Sequence, residues 1–200
     1  MAISPDDVKK LREKTGAGFK DCKIALEECN GDFDKAVDEL RKKGIAVATK
    51  KADKATSQGI ILSYVHAGDQ VGVLVEVNCQ TDFAARTPDF REFAHNVAMQ
   101  IAAMRPRWVS RDDVPADAQD RERAVLIEQA KNEGKPEAIA QKMVEGRMRK
   151  FFEEYCLLDQ KYIRDDSMTI NDLLLNLTAK TGELVVVRRF VRYQVGEELE

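Results

Sequence analysis

The run Val71–Val77, which reads Val-Gly-Val-Leu-Val-Glu-Val, is the feature that most constrains how this chain can fold. Its apolar, mostly β-branched residues occupy both faces, which is typical of a strand with neighbours on each side. The segment before it, Gly59–His66, is also rich in strand-forming residues, and Ala67–Gln70 has the composition of a turn. We therefore predict an antiparallel hairpin whose second strand, Val71–Cys79, is central in its sheet.

The chain after this hairpin predicts several helices and one more strand. Apolar positions keep helical spacing in four stretches, which are Pro88–Ala103, 117–133, 137–154 and 173–179. The second and third stretches predict a helical hairpin at about residues 118–155, interrupted at Gly134. The last segment, Glu183–Val195, is long, β-branched and basic. The predicted fold class is therefore α+β with a small antiparallel three-stranded sheet, whose long edge strand invites pairing with another chain.

Three short helices are predicted before the hairpin. The first stops at Gly16–Gly18, where two glycines permit a sharp break. The second carries its small apolar residues on one face, at Cys22, Ala25, Leu26 and Cys29. The third follows Asp32 as its cap and is predicted to end at Gly44. The loop before the second helix is a candidate partner site if Phe19 is exposed, and the alternative is that Phe19 packs into the bundle.

The composition favours a protein of the cytoplasm. The formal net charge is −3, which gives no strong steering towards nucleic acid or an anionic membrane. The segment Ile45–Ser57 is basic and either a solvated helical linker or a nucleic-acid contact, but it lacks interleaved aromatic residues for stacking. The chain has no apolar run of about 18 residues and no N-terminal signal pattern. We expect a cytoplasmic protein without membrane contact or a direct nucleic-acid partner.

The sequence motifs of catalysis are missing. There is no Gly-x-x-x-x-Gly-Lys-Ser/Thr phosphate loop and no Gly-x-Ser-x-Gly elbow, and Gly16-x-Gly18 is too short for a dinucleotide fingerprint. The four cysteines form no Cys-x-x-Cys pair, so we predict no metal site and no cofactor. Cys79 with His66 or His95 stays open as a thiol-enzyme pair. The overall pattern favours a binding protein and not an enzyme.

The segment Asn78–Arg86 places an acid beside an aromatic residue directly after the predicted central strand. It reads Asn-Cys-Gln-Thr-Asp-Phe-Ala-Ala-Arg, and a helix start follows at Thr87–Asp89. The two alanines after Phe83 are too small to cover its ring. The segment is therefore either an ordinary turn or a mount for an aromatic side chain that contacts a partner. His66, beside the hairpin turn, has the same two interpretations.

Two long motifs and several short ones resemble bacterial translation elongation factor Ts. In chain order they are Leu11–Gly18, Asp21–Lys23, Asn30–Asp32, Glu76–Phe83, Gly134–Glu137, Glu145–Arg147 and Val187–Phe190. They are spread along nearly the whole chain, and Glu76–Phe83 matches the signature of the family. One departure is Ala84, where the family often has valine. This change trims apolar contact beside Phe83 but leaves the Asp82–Phe83 pair intact.

The resemblance implies a guanine-nucleotide exchange factor for elongation factor Tu, a GTPase whose GDP is released when its Mg²⁺ and phosphate site is loosened. It implies an N-terminal docking module over residues 1–54, which is a three-helix bundle like ubiquitin-associated (UBA) domains followed by a basic linker. A core and dimerisation domain over residues 55–200 would carry the helical hairpin as a coiled-coil insertion. The length resembles the short form of the family, for which a homodimer supplies a second copy of the core.

The resemblance also implies which residues contact elongation factor Tu. They are Arg12, Phe19 and Lys20 in the bundle, His66 in the hairpin, and Thr81, Asp82 and Phe83 after the central strand. Phe83 would enter between helices of the GTPase, and Asp82 would act near its metal. Two rival hypotheses stay open: a UBA-type module fused to an unrelated core, and a thiol enzyme built on Cys79.

Overall fold

An antiparallel sheet organises the part of the chain that the computed structural model describes, residues 3–51, 53–134 and 136–198. Within these residues the helices and strands follow in the order α1 (Pro5–Thr15), α2 (Phe19–Glu28), α3 (Phe33–Lys50), β1 (Gln58–Val65), β2 (Val71–Cys79), α4 (Asp82–Ala85), α5 (Pro88–Met104), α6 (Ala116–Asn132), α7 (Glu137–Tyr155), β3 (Lys161–Tyr162), β4 (Asp165–Thr169), α8 (Ile170–Thr181) and β5 (Val186–Gln194). The mixture of helices and an antiparallel sheet confirms the predicted α+β class.

The main sheet has the strand order β1–β2–β5, and both pairs are antiparallel. The predicted central position of β2 is therefore confirmed. One face of β2 is buried through Val73, Val75 and Val77. The opposite face carries Leu74, which lies across from Val191 of β5 and is half-exposed. The alternation explains the run, because the valines share one face and fill the core, whereas the opposite face carries Leu74 between Gly72 and Glu76.

The first three helices share one apolar core, formed by Val8, Leu11, Ala17, Cys22, Ala25, Leu26, Ala36 and Leu40. Their boundaries follow from local capping. The hydroxyl of Ser4 accepts from the Asp7 N–H, and the carboxylate of Asp32 accepts from the Lys35 N–H, each at 3.1 Å. Gly16 ends α1 with a φ of +67°, a left-handed conformation that glycine adopts without strain.

The third helix does not end at Gly44, as its glycine suggested, but continues to Lys50. The glycine has a packing role instead. A Cβ atom at this position would lie 2.5 Å from the carbonyl oxygen of Leu175 in α8, so only glycine lets the two helices approach this closely. Arg41 pairs with Asp172 at 2.8 Å along the same contact. The alanines after Gly44 then favour continuation of the helix.

The chain forms two compact units, one from the residues up to Ala102 with those from Asn171 onward, and the other from Ala103–Ile170. In the second unit α6 and α7 form the predicted hairpin around Leu126, Ala130, Val144 and Met148. The short ribbon of β3 and β4 in the same unit was not predicted. The division at residue 54 stays a prediction. None of the helices in the described residues combines the length and apolar character needed to cross a membrane.

Candidate functional site

The helix α4 forms a single turn at the end of the central strand. Its cap is Thr81, whose hydroxyl accepts from the Ala84 N–H at 3.3 Å. Ala84 and Ala85 are buried and pack this short helix against β1 and β2. The predicted turn after β2 is therefore a helical platform with one buried side and one exposed side.

Phe83 lies on the exposed side of this platform. Its side chain is 81% exposed, the largest value among the large hydrophobic residues that the structure describes. The cause is local, because its two successors are alanines whose methyl groups face the protein. The prediction of an uncovered aromatic ring is confirmed. Single exposed apolar side chains are common on protein surfaces, so this exposure makes the Phe83 ring available for a contact but does not assign one.

Asp82 is half-exposed beside Phe83. Its carboxylate pairs with the guanidinium of Arg86 at 2.9 Å, one helical turn away. The Arg86 side chain is largely exposed, and ion pairs of this kind contribute little to stability. The carboxylate can therefore exchange Arg86 for a partner's polar group at small cost.

The cap residue Thr81 also binds a residue far along the chain. Its backbone N–H donates to one carboxylate oxygen of Glu183 at 3.0 Å, and its hydroxyl donates to the other at 2.6 Å. Glu183 was not predicted as a site residue, since it follows a predicted turn glycine and lies 102 residues from Thr81. No pattern in the sequence could pair two polar residues over that distance.

Cys79, the last residue of β2, is buried, and its thiol donates to the Thr81 carbonyl at 3.1 Å. Burial raises the pKa of the Cys79 thiol, and the negative charge of Glu183 raises it further. A nucleophilic thiol needs the opposite shift and an accessible sulfur. This environment disfavours the thiol-enzyme hypothesis.

The loop between α1 and α2 holds the second group of predicted residues. Thr15 braces the loop, because its hydroxyl donates to the Leu11 carbonyl at 2.7 Å and accepts from the Ala17 N–H at 3.3 Å. Ala17 is buried, whereas Phe19 is 53% exposed as the first residue of α2. Phe19 therefore does not pack into the bundle core. Arg12 and Lys20 are both exposed near this loop.

His66 lies at the turn between β1 and β2 and is exposed. Its Nδ1 shares a hydrogen bond of 2.9 Å with the hydroxyl of Tyr64, whose ring also contacts His95 edge-on, with 5.5 Å between ring centroids. The imidazole is thus oriented by a neighbour on its own strand. In the described ranges no group of three or more His, Cys, Asp and Glu side chains is arranged to hold a metal ion.

All seven predicted contact residues belong to the first compact unit. Thr81, Asp82 and Phe83 are contiguous on one short helix and its cap. The bundle group surrounds the loop after α1, and His66 stands alone at the hairpin turn. Every one of them is at least partly accessible, which a contact surface for another protein requires.

Comparison with known proteins identifies the family. A model of the family described as elongation factor TS matches residues 17–197. The elongation factor Ts of Moorella thermoacetica is 54% identical over 195 residues, covering 98% of this chain and 96% of the relative. Those of Carboxydothermus hydrogenoformans and Fervidobacterium nodosum are each 52% identical over 197 residues, covering 91% and 100% of the relatives. The chain therefore belongs to the elongation factor Ts family.

Proposed function

We propose that this protein accelerates the release of GDP from elongation factor Tu, so that GTP can bind during translation elongation. Membership of the elongation factor Ts family carries this role. The observation that supports the mechanism is the exposed ring of Phe83 on the α4 platform. The protein acts as a binding partner of a GTPase and supplies no catalytic group of its own.

Phe83 acts as a wedge in this proposal. Burying a phenylalanine side chain contributes roughly 1.5–3 kcal/mol relative to leaving it in water. That energy promotes GDP release only if the ring is buried in a GTPase conformation that holds Mg²⁺ and phosphate poorly, because equal affinity for both conformations shifts no equilibrium. By linkage, GDP must weaken binding of this protein to the same degree.

Asp82 supplies the polar part of the same contact. Its weak pair with Arg86 leaves the carboxylate available to a polar group near the nucleotide site of the partner. Thr81 contributes as the cap that fixes the start of the helix. The three residues together present an acid and an aromatic ring from one rigid turn.

The three-helix bundle is the docking module in this proposal. We propose that its fold is UBA-like and that Arg12, Phe19 and Lys20 contact the nucleotide-binding domain of the GTPase. The braced loop and the half-exposed Phe19 support this assignment. His66 adds a contact from the hairpin turn. The module corresponds to residues 1–54 and the core domain to residues 55–200.

We also propose a homodimer formed through the outer face of the main sheet. Ile61, Leu74, Val191 and Tyr193 leave this face apolar and accessible. Glu76 is neutralised there by Arg189 at 2.7 Å, which keeps the carboxylate's pKa below its ordinary value. A face that repeats on each copy suits a two-fold interface. Sedimentation at rising protein concentration tests for this dimer.

We further propose that the helical hairpin of α6 and α7 is the coiled-coil insertion of the family.

The test of the function is release of a fluorescent GDP analogue from purified bacterial elongation factor Tu. Adding wild-type protein is expected to accelerate release in proportion to its concentration until the GTPase is saturated. A pull-down with ubiquitin, compared with one with elongation factor Tu, tests the rival hypothesis of a UBA-type module. Release at the spontaneous rate with a saturating amount of folded protein would contradict the proposal.

A further inference from the structure

We propose that Glu183 is a positioning residue that fixes the orientation of α4 and thereby of Phe83. The inference rests on the proposed exchange function and names a residue on which that function depends. Glu183 itself does not have to touch the GTPase. It acts through Thr81, the cap of the helix.

The hydrogen bonds around Thr81 form an ordered chain. Both donors of Thr81 point at the Glu183 carboxylate, at 3.0 Å from the backbone N–H and 2.6 Å from the hydroxyl. Because the hydroxyl proton is directed at Glu183, the oxygen lone pairs face the Ala84 N–H, 3.3 Å away. Hydrogen bonds to a carboxylate are roughly twice as strong as neutral ones. One carboxylate therefore sets both the position of the cap and the donor direction of its hydroxyl.

The loop that carries Glu183 is itself tethered on several sides. The Lys51 ammonium donates to the Gly182 carbonyl, which ties the loop to the end of α3. The Leu184 N–H donates to the side-chain oxygen of Gln80 at 3.3 Å, one residue before Thr81. Lys180 pairs with Asp89 in the first turn of α5. The segment from Lys180 to Leu184 thus holds the chain both before and after α4.

These tethers matter because α4 must keep its orientation when Phe83 contacts a partner. A helix of four residues is far too short to be stable by itself, since helix nucleation is unfavourable. Phe83 is largely exposed and contributes little packing to the free protein, so α4 is held mainly by its two buried alanines and its cap. If α4 were loosely capped, contact with the GTPase would tilt the helix. Part of the binding energy of Phe83 would then deform this protein and not the GTPase.

The test compares Glu183→Gln with Glu92→Gln, which removes the same charge from an exposed position of α5. The two Thr81 donors bind different carboxylate oxygens, and glutamine replaces one of these oxygens by an NH2 group, so one donor loses its acceptor. We expect Glu183→Gln to lower the maximal rate of GDP release about tenfold, as the loss of a charged hydrogen bond allows. The concentration of factor that gives half the maximal rate is expected to change less than about threefold, since bundle docking is untouched. Glu92→Gln is expected to match the wild type.

Amide hydrogen exchange in the free protein gives a second readout that needs no GTPase. We expect the hydrogen-bonded amides of residues 84–86 to exchange at least about tenfold faster in Glu183→Gln, while those of β2 stay protected. Thr81→Val removes the hydroxyl, and combining it with Glu183→Gln is expected to cost less than the sum of the single effects, because both act through one contact.

Three outcomes would overturn the positioning role. They are unchanged exchange of residues 84–86 together with an unchanged release rate, slower GDP release without faster exchange of residues 84–86, and loss of protection in β2 as well. The second would make Glu183 a direct contact of the partner, and the third would make it a general structural residue. A wild-type protein that fails to stimulate release would refute the proposed function, and the amide exchange would still decide whether Glu183 holds α4.

Discussion

Phe83 and Phe19 are both exposed phenylalanines in the first turn of a helix, yet the structure mounts them differently. Phe19 begins a ten-residue helix whose preceding loop is held by hydrogen bonds among neighbours in the sequence. Phe83 lies on a single turn held by a carboxylate 102 residues beyond its cap. The setting of Phe19 is thus specified by local sequence, and that of Phe83 by the tertiary fold. In the proposed mechanism, docking depends on the locally ordered bundle loop, whereas the wedge depends on support from the core.

The largest effect is expected from Phe83→Ala. Truncating an interface anchor of this kind costs about 2 kcal/mol, so factor-stimulated GDP release should fall about 30-fold. The free energy of unfolding should change by less than about 0.5 kcal/mol, because the ring is largely exposed in the free protein. Stopped-flow release of a fluorescent GDP analogue and urea denaturation measure the two quantities. Met104→Ala, which removes another exposed apolar side chain, is the control, and an unchanged release rate in Phe83→Ala would end the wedge assignment.

A smaller and different effect is expected from Phe19→Ala. Its ring is partly covered already, so truncation should cost about 1 kcal/mol of docking energy and raise the half-saturating concentration about fivefold. The maximal release rate should change little, because α4 is untouched. A titration of factor against elongation factor Tu carrying the fluorescent GDP analogue separates the two parameters. If Phe19→Ala lowered the maximal rate as much as Phe83→Ala, the two regions would not differ in function.

The smallest effect is expected from Gly16, the glycine that ends α1 before the loop to Phe19. Gly16→Ala forces a left-handed backbone on alanine and should lower the free energy of unfolding by about 1 kcal/mol, although the surrounding space is open. Gly146→Ala is the matched control, since it removes a glycine from the middle of α7 with no neighbour to clash. It should raise stability by about 0.5–1 kcal/mol. Urea denaturation measures the free energy of unfolding of both variants. A change of the same sign in the two would show that backbone conformation does not control the bundle loop.

The sequence was sufficient wherever one short stretch contained the whole cause. The central strand followed from the apolar run Val71–Val77, the helix starts from their capping residues, and the exposure of Phe83 from the alanines beside it. It was insufficient where the cause lay elsewhere in the chain. Gly44 resembled a helix end because its neighbour, the backbone of Leu175, is remote in sequence. The ribbon of β3 and β4 is short and polar, so it has no hydrophobic period to detect.

The contact between Thr81 and Glu183 also joins residues that are remote in sequence, and it has a consequence for the order of folding. The bundle is closed by contacts between near neighbours, which form quickly. The platform of Phe83 needs β5 to pair with β2 and Glu183 to reach Thr81, and both steps wait until residues 183–194 have been synthesised. On the ribosome we therefore expect the proposed docking surface of the bundle to form early and the platform of Phe83 to be assembled last. In the proposed mechanism, a nascent chain would acquire the ability to dock before the ability to promote GDP release.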